Sequence, residues 1–247
     1  MFVSLVKIKK YLIYLFLFLL FNCFFTLPIK AGGTSFVVEY KVNTITNRNA
    51  LRGITFNPDG DKMFVSTIIT DRIEQFTLSV PFDLSSTITR GDALLKSTDG
   101  NSHINDPHYL RFNSDGSKMF FLPGASTTTI REVGLSTPYD TSTASNATSS
   151  NTNDGTLDNS SSGFAFNGDG TKLFTVFGSG KKIDEYSLTN AFDVSEISLV
   201  TTLDISDNSS EPRSLAFSSD GTTMFILDIN GGDHQIDEYV LTTGYDV

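Results

Sequence analysis

The densest group of side chains suited to chemistry lies in the segment "SHINDPHYLRF", which contains two histidines, a carboxylate and a guanidinium. His103, Asp106 and His108 are of the types that bind divalent metals or exchange protons near neutral pH, and Arg111 suits an anionic ligand. The histidines are five residues apart on a predicted loop, which is no recognised metal-ligand spacing. We therefore predict no metal site and treat the four residues as candidates for ligand binding, with solvated loop side chains as the alternative.

The short motifs of common catalytic centres are absent from the sequence. It contains no nucleophile elbow, P-loop, dinucleotide fingerprint or zinc motif. We accordingly predict no catalytic residue and no cofactor.

A hairpin-like segment, "FNPDGDKMFV", returns as "FNSDGSKMFF", "FNGDGTKLFT" and "FSSDGTTMFI". The aspartates of these copies are separated by 56, 54 and 51 residues. Glycine supplies the positive φ of a tight turn and aspartate accepts its backbone N–H groups, so we interpret the repeated pairs as structural turn formers rather than metal ligands. These turn residues are Asp59, Gly60, Asp115, Gly116, Asp169, Gly170, Asp220 and Gly221.

Each repeat continues with a third strand, "IEQFTL", "IREVGL", "IDEYSL" or "IDEYVL", and then with a signature, "PFDL", "PYDT", "AFDV" or "GYDV". A fourth, more variable strand is suggested at 92–97 and 197–205. Units of four antiparallel strands, without helical periodicity and with a period of about 54, predict an all-β fold, a β-propeller of four four-stranded blades. We place the blades at about 51–97, 107–150, 161–205 and 212–247, the last one together with 36–42.

Alignment of the repeats brings Arg52, His108 and Arg213 to one position of the innermost strand, with a serine in the remaining copy. Innermost strands surround the channel of a propeller, so these side chains predict a partly basic ring at one mouth that favours a small anionic ligand. The alternative is that His108 pairs with neighbouring Asp106 and Arg213 with neighbouring Glu211.

An acidic residue also recurs in the third-strand motif. It is Glu39, Glu132, Glu185 or Glu238, with Gln75 in the remaining copy. Recurrence in separate blades predicts a structural hydrogen bond rather than an active-site acid.

The N-terminal segment is built differently from the repeats, and we predict a secretory signal peptide at 1–31. Three lysines precede an apolar run at 11–27, and small Ala31 stands at a plausible cleavage position. An uncleaved membrane anchor is the alternative. Removal of this segment, which carries four lysines and no acid, leaves 14 basic and 28 acidic residues and a net charge of −14. We therefore predict a secreted, periplasmic or cell-surface protein that does not bind nucleic acid and meets the membrane only if the segment stays uncleaved.

The two ends of the repeat region suggest two ways to account for the last blade. The segment "FVVEYKV" at 36–42 precedes the first blade, and the final repeat stops at "GYDV" without a fourth strand. Either the N-terminal strand completes the last blade and closes the ring, or the chain is a truncated part of a larger propeller.

The hairpin "FxxDGxxMFV" followed by "IxEYxL" resembles the blade repeats of YVTN-type and WD-like propellers of secreted bacterial proteins, over 51–247. The resemblance implies the fold, but the same architecture hosts lactonases, quinoproteins, partner-binding proteins and surface repeats. The absence of tryptophan counts against a quinone cofactor. We predict a noncatalytic binding or scaffolding module for an unknown protein, polymer or small anionic ligand. The alternatives are a lactonase-like or metal-assisted hydrolase at the channel mouth and a cell-surface repeat protein for adhesion.

Overall fold

Sixteen short strands and one 3₁₀ turn form the regular structure of the part of the chain that the computed structural model describes. The described residues are 51–68, 71–91, 93–95, 106–124, 129–145, 148–149, 161–230 and 233–247. They all belong to the second of two compact units, Glu39–Val247. The predicted signal peptide and the strand predicted at 36–42 lie outside the described residues. Within those residues, no helix is long and apolar enough to cross a membrane.

Each sheet begins with a hairpin at one of the repeated Asp-Gly pairs. The turn glycines all have φ between 72° and 75°: Gly60, Gly116, Gly170 and Gly221. In three turns the aspartate accepts the backbone N–H two residues further on, at 2.8, 3.0 and 3.1 Å: Asp115, Asp169 and Asp220. In the first turn Asn57 donates to Asp61 at 2.6 Å, and no side-chain hydrogen bond involves Asp59 among the described residues. The local chemistry of the turn thus accounts for the glycine in all four copies and for the aspartate in the last three.

The aromatic residue of the later signature packs onto the turn of its own blade. These residues have φ between 54° and 56° and donate their N–H to the turn glycine carbonyl at 2.9 to 3.0 Å: Phe82, Tyr139, Phe192 and Tyr245. A Cβ atom added to Gly170 would overlap the ring of Phe192. Glycine is therefore required both by the backbone and by the aromatic ring above it.

Blades 1 and 2 follow the predicted strand order, with antiparallel pairing throughout. Blade 1 comprises β1 (Leu51–Phe56), β2 (Lys62–Thr67), β3 (Arg72–Leu78), β4 (Ile88–Arg90) and β5 (Leu94–Leu95). Both β4 and β5 pair with β3; β5 lies within the fourth strand predicted at 92–97, and β4 is a further short piece that the sequence did not predict. Blade 2 comprises β6 (Pro107–Phe112), β7 (Lys118–Pro123), β8 (Arg131–Gly134) and β9 (Thr148–Ser149). The short β9 lies in a Ser/Thr/Asn tract with little to bury.

Blades 3 and 4 are also antiparallel and differ in strand number. Blade 3 comprises β10 (Ser161–Phe166), β11 (Lys172–Phe177), β12 (Lys182–Leu188) and β13 (Ile197–Asp204). Blade 4 comprises β14 (Pro212–Phe217), β15 (Thr223–Asn230) and β16 (Asp233–Val240). Among the described residues blade 4 has three strands, in agreement with a last repeat that stops at its signature.

Apolar side chains pack consecutive blades against each other. Phe64 and Ile73 of blade 1 form one buried cluster with Leu110 and Met119 of blade 2. Equivalent clusters join blade 2 to blade 3 and blade 3 to blade 4. In all three contacts a phenylalanine of the second strand lies against the last phenylalanine of the next innermost strand, with ring centroids 4.6 to 4.8 Å apart. These tilted rings bury large apolar areas between the sheets.

The recurring acidic position of the third strand binds the next blade. Its side chain accepts a backbone N–H from the later signature: Gln75 from Thr141 at 2.9 Å, Glu132 from Val194 at 3.0 Å and Glu185 from Val247 at 3.2 Å. A lysine that begins the second strand donates to a carbonyl of the same signature: Lys62 to Tyr139, Lys118 to Phe192 and Lys172 to Tyr245, at 2.9, 2.8 and 2.6 Å. This position therefore has a structural role in the first three blades, as a glutamine in blade 1 and as an acid in blades 2 and 3. Glu39 lies outside the described residues.

Candidate functional site

A cavity of about 320 Å³ lies at the turn end of the innermost strands of blades 2, 3 and 4. Arg111, near the end of β6, lines this cavity. At the equivalent position the other blades carry Thr55, Ala165 and Ala216, and both alanines line the same cavity. The small residues of blades 3 and 4 leave open the space beside the guanidinium.

Among the described residues the Arg111 side chain has one hydrogen-bond partner, the Leu110 carbonyl, to which Nη1 donates at 3.1 Å. No carboxylate forms an ion pair with it among the described residues. Burial lowers the pKa of the guanidinium from its ordinary value. Because arginine stays protonated in proteins, the result is a cation partly removed from water to which no described residue supplies a counter-charge.

A second group of polar side chains lies at the opposite end of β6. His108 Nε2 and Asp106 Oδ1 are 3.3 Å apart. Burial lowers the pKa of His108, the Asp106 carboxylate opposes this effect, and Arg52 adds to it. The expected alternative pairing therefore occurs in this structure, because His108 meets Asp106 and Arg213 forms an ion pair with Glu211.

Tyr109 belongs to this second group and was missed by the sequence reasoning. Burial raises the pKa of its phenol, and the nearby charges of Arg213 and Arg52 lower it. Its φ of 51° lies in the left-handed region, at the irregularity in the pairing of β6 with β7. The repeat could have indicated Tyr109, since the residues at the same position in the other blades are small: Gly53, Gly163 and Ser214. A bulky residue at a position of small ones marks this departure from the regular blade.

The predicted candidates thus fall into separate places. Arg52, His108 and Arg213 lie near one end of the innermost strands together with Asp106, whereas Arg111 lines the cavity at the other end. His103 lies outside the described residues. The described residues contain no group of three or more His, Cys, Asp or Glu side chains that could hold a metal ion.

Four antiparallel sheets that share one topology and pack through equivalent residues define the chain as a β-propeller, which confirms the predicted fold. The chain is similar in fold to a candidate 6-phosphogluconolactonase from Bacteroides fragilis, with a TM-score of 0.52, 18% identity, and coverage of 78% of this chain and 52% of that one. A second candidate 6-phosphogluconolactonase, from Bacteroides uniformis, gives a TM-score of 0.51, 14% identity, and coverage of 77% and 55%. Hydrazine synthase from Kuenenia stuttgartiensis gives a TM-score of 0.50, 14% identity, and coverage of 82% of this chain and 49% of that one.

At these identities the likeness shows the fold alone. The chain spans about half the length of these solved structures. No protein-family model matches the chain. No curated protein matches its sequence.

Proposed function

We propose that this propeller is a noncatalytic binding module whose cavity at Arg111 takes a small anionic ligand, a carboxylate or a phosphate. The observation that carries the proposal is the half-buried guanidinium without a carboxylate partner among the described residues. A bound anion would supply the missing counter-charge and accept two parallel hydrogen bonds from the planar donor.

The surroundings of Arg111 limit the size and nature of the ligand. A cavity of about 320 Å³ is at the small end of the range for ligand sites, which favours a compact molecule. The rings of Phe166, Phe192 and Phe217 line the wall, and Ser114 contributes a polar group. Aromatic walls beside one cation suit an anion that carries an apolar or sugar-like body.

The net charge of the whole protein bears on where an anionic ligand can bind. The chain has a formal net charge of −10, so most of its surface repels anions. A site that accepts an anion therefore needs a local cation such as Arg111. Because the net negative charge opposes binding, we expect the anion to bind weakly and its affinity to depend on Arg111.

The test is a binding comparison with probes that differ in charge. The purified protein is titrated with 6-phosphogluconate, gluconate, inorganic phosphate and neutral glucose, in the wild type and in Arg111→Gln. Loss of a charge-assisted hydrogen bond costs about 1.5 to 3 kcal/mol, so Arg111→Gln should weaken anion binding roughly 10- to 150-fold. Exposed Arg52 serves as the matched control, and Arg52→Gln should bind as the wild type does. Equal binding of glucose and the anions would contradict the proposal.

Lactone hydrolysis is the second candidate function. It is supported by the fold likeness to two candidate 6-phosphogluconolactonases and by the His108 imidazole, which its lowered pKa keeps neutral at pH 7. A neutral imidazole oriented by Asp106 could act as a general base toward water. Hydrolysis of 6-phosphogluconolactone above the spontaneous rate, lost in His108→Gln, would favour this function over simple binding.

The remaining predictions belong to the same proposal. Membership of the YVTN-type or WD-like repeats is supported by the spacing of "FxxDGxxMFV" and "IxEYxL". Export through a signal peptide at 1–31 is supported by the lysines and the apolar run of that segment. N-terminal sequencing of the protein recovered outside the cytoplasm tests both export and the cleavage position.

A further inference from the structure

The three contacts between consecutive blades bury the same set of side chains. From the preceding blade, a phenylalanine of the second strand and an isoleucine in the third strand or directly before it are 0% exposed: Phe64, Phe120, Phe174, Ile73, Ile130 and Ile183. From the following blade, one apolar residue of the innermost strand is at most 2% exposed: Leu110, Phe164 and Leu215. Each blade therefore has a forward face and a rear face that fit one another.

The forward face of blade 4 consists of Phe225, Leu227, Ile236 and Glu238, and no described residue covers it as a following blade would. Phe225 is 36% exposed, Leu227 45% and Ile236 70%. Glu238 accepts no hydrogen bond from the described residues, whereas its counterparts bind the next blade. A contiguous apolar face with a ready acceptor is typical of an interaction surface.

The rear face of blade 1 carries the complementary groups. Ile54 is 57% exposed, although its counterparts in the other blades are buried. Ile54, Met63, Val65 and Leu84 line an apolar groove of about 380 Å³. The Leu84 N–H and the Phe82 carbonyl are equivalent to the groups that bind the acid and the lysine of a preceding blade. Neither group has a hydrogen-bond partner among the described residues.

We propose that the forward face of blade 4 docks on the rear face of blade 1 of a second copy, and that two copies close one eight-bladed ring. The two faces are halves of the interface that the chain already forms three times. In this pairing Phe225 would meet Phe56 of the other copy, as Phe174 meets Phe217. Glu238 would accept the Leu84 N–H, as Glu185 accepts the Val247 N–H.

The exposure of both faces favours a second copy over closure of one chain on itself. Ile54 is 57% exposed and Ile236 is 70% exposed, so blade 4 does not pack on blade 1 of the same chain as consecutive blades pack on each other. Two arcs supply eight blades, within the usual range of four to eight. A head-to-tail interface whose rotation closes forms a ring of defined size, here with two equal contacts.

One residue at the forward face departs from the repeat. Thr223 stands where the other blades have the lysine that reaches the next signature carbonyl. The contact between copies therefore lacks a bond that each internal contact has. Thr223→Lys should restore it through the Phe82 carbonyl at both contacts and tighten the dimer roughly 5- to 150-fold.

Sedimentation velocity of the purified full chain over a concentration series gives the first test. We expect a species of twice the mass measured for the denatured chain. Ile236→Asp places a charge in the interface and should raise the dimer Kd roughly 30-fold or more. Because Ile236 is 70% exposed in the single copy, its replacement should leave the circular dichroism spectrum unchanged. Glu238→Ala removes the bond from both contacts and should weaken the dimer roughly 100-fold, and Glu238→Gln should weaken it much less, since Gln75 makes the same bond in blade 1.

Mixing two variants tests the head-to-tail arrangement directly. Ile236→Asp alone damages both contacts of a homodimer, and so does Ile54→Asp alone. A mixture retains one undamaged contact, between the forward face of the Ile54→Asp copy and the rear face of the Ile236→Asp copy. We expect each variant to be monomeric by itself and the mixture to form a heterodimer.

Three results would overturn the proposal. A wild-type monomer at all concentrations would mean that another part of the chain or a different protein covers the faces. Open polymers would show that the contact does not close. Dimers that survive Ile54→Asp and Ile236→Asp would use another surface.

Discussion

The bond from Glu185 to the last signature offers a sharp test of how the blades are held together. The Glu185 side chain is 0% exposed, its Oε1 lies 2.8 Å from Lys172 Nζ, and its Oε2 accepts the Val247 N–H at 3.2 Å. Glu185→Ala removes both contacts and leaves the lysine and the N–H without this partner. Glu185→Gln is the matched control, because Gln75 performs the same function in blade 1.

The magnitude follows from the two lost contacts. Breaking a buried ion pair costs about 3 to 5 kcal/mol when one charge stays behind. Lys172 is 31% exposed and also donates to the Tyr245 carbonyl, so water and that carbonyl recover part of this cost. We expect Glu185→Ala to lower the free energy of unfolding by about 2 to 4 kcal/mol. Glu185→Gln keeps the acceptor and should lower it by about 1 kcal/mol or less.

Urea denaturation followed by circular dichroism measures the difference, since the chain has no tryptophan to report by fluorescence. The midpoint should fall clearly in Glu185→Ala and little in Glu185→Gln. Equal losses of unfolding free energy in both variants would show that Glu185 stabilises the fold through its charge and not through the hydrogen bond to the next blade. A loss below about 0.5 kcal/mol in Glu185→Ala would refute the role assigned to this position.

Three further predictions concern the turns and the histidine. Gly170→Ala should lower the free energy of unfolding by about 2 kcal/mol or more, because the φ of Gly170 is 75° and the added methyl group would overlap the ring of Phe192. Gly168→Ala is the control and should change the free energy of unfolding little, because a Cβ atom at Gly168 would have no atom within 4 Å. Burial lowers the pKa of His108, so the unfolded chain binds the proton more readily than the folded chain, and the free energy of unfolding should fall as pH drops through 6.5. Urea unfolding at pH 7.5 and at pH 5 should show a smaller fall in His108→Gln than in the wild type. Hydrogen bonds, first of all that from Ser218, lower the pKa of Asp220 to about 2. NMR titration of Ser218→Ala should find a higher pKa for Asp220, and an unchanged pKa would contradict the role assigned to the Ser218 hydroxyl.

The fold could be predicted because local chemistry repeats. A glycine that needs positive φ, flanked by apolar runs at fixed spacing, specifies the same hairpin at Gly60 and at Gly221. The split of the fourth strand of blade 1 into β4 and β5 could not be predicted, because edge strands pair on one side only and their sequence is weakly constrained.

The site was less predictable than the fold. Asp106, His108 and Arg111 are close in sequence and looked like one cluster, but Arg111 stands three residues beyond His108 along an extended strand, a span of roughly 10 Å. The cavity beside Arg111 depends on Ala165 and Ala216, which come from two other blades. Such a neighbourhood follows from the packing of blades and not from any single segment.

Binding of 6-phosphogluconate by isothermal titration calorimetry, in the wild type and in Arg111→Gln, tests the central claim most directly. The account predicts saturable binding to the wild type, weakened roughly 10- to 150-fold in Arg111→Gln and retained in Arg52→Gln. Binding with the same affinity in the wild type and in Arg111→Gln would contradict the assignment of the cavity as an anion site.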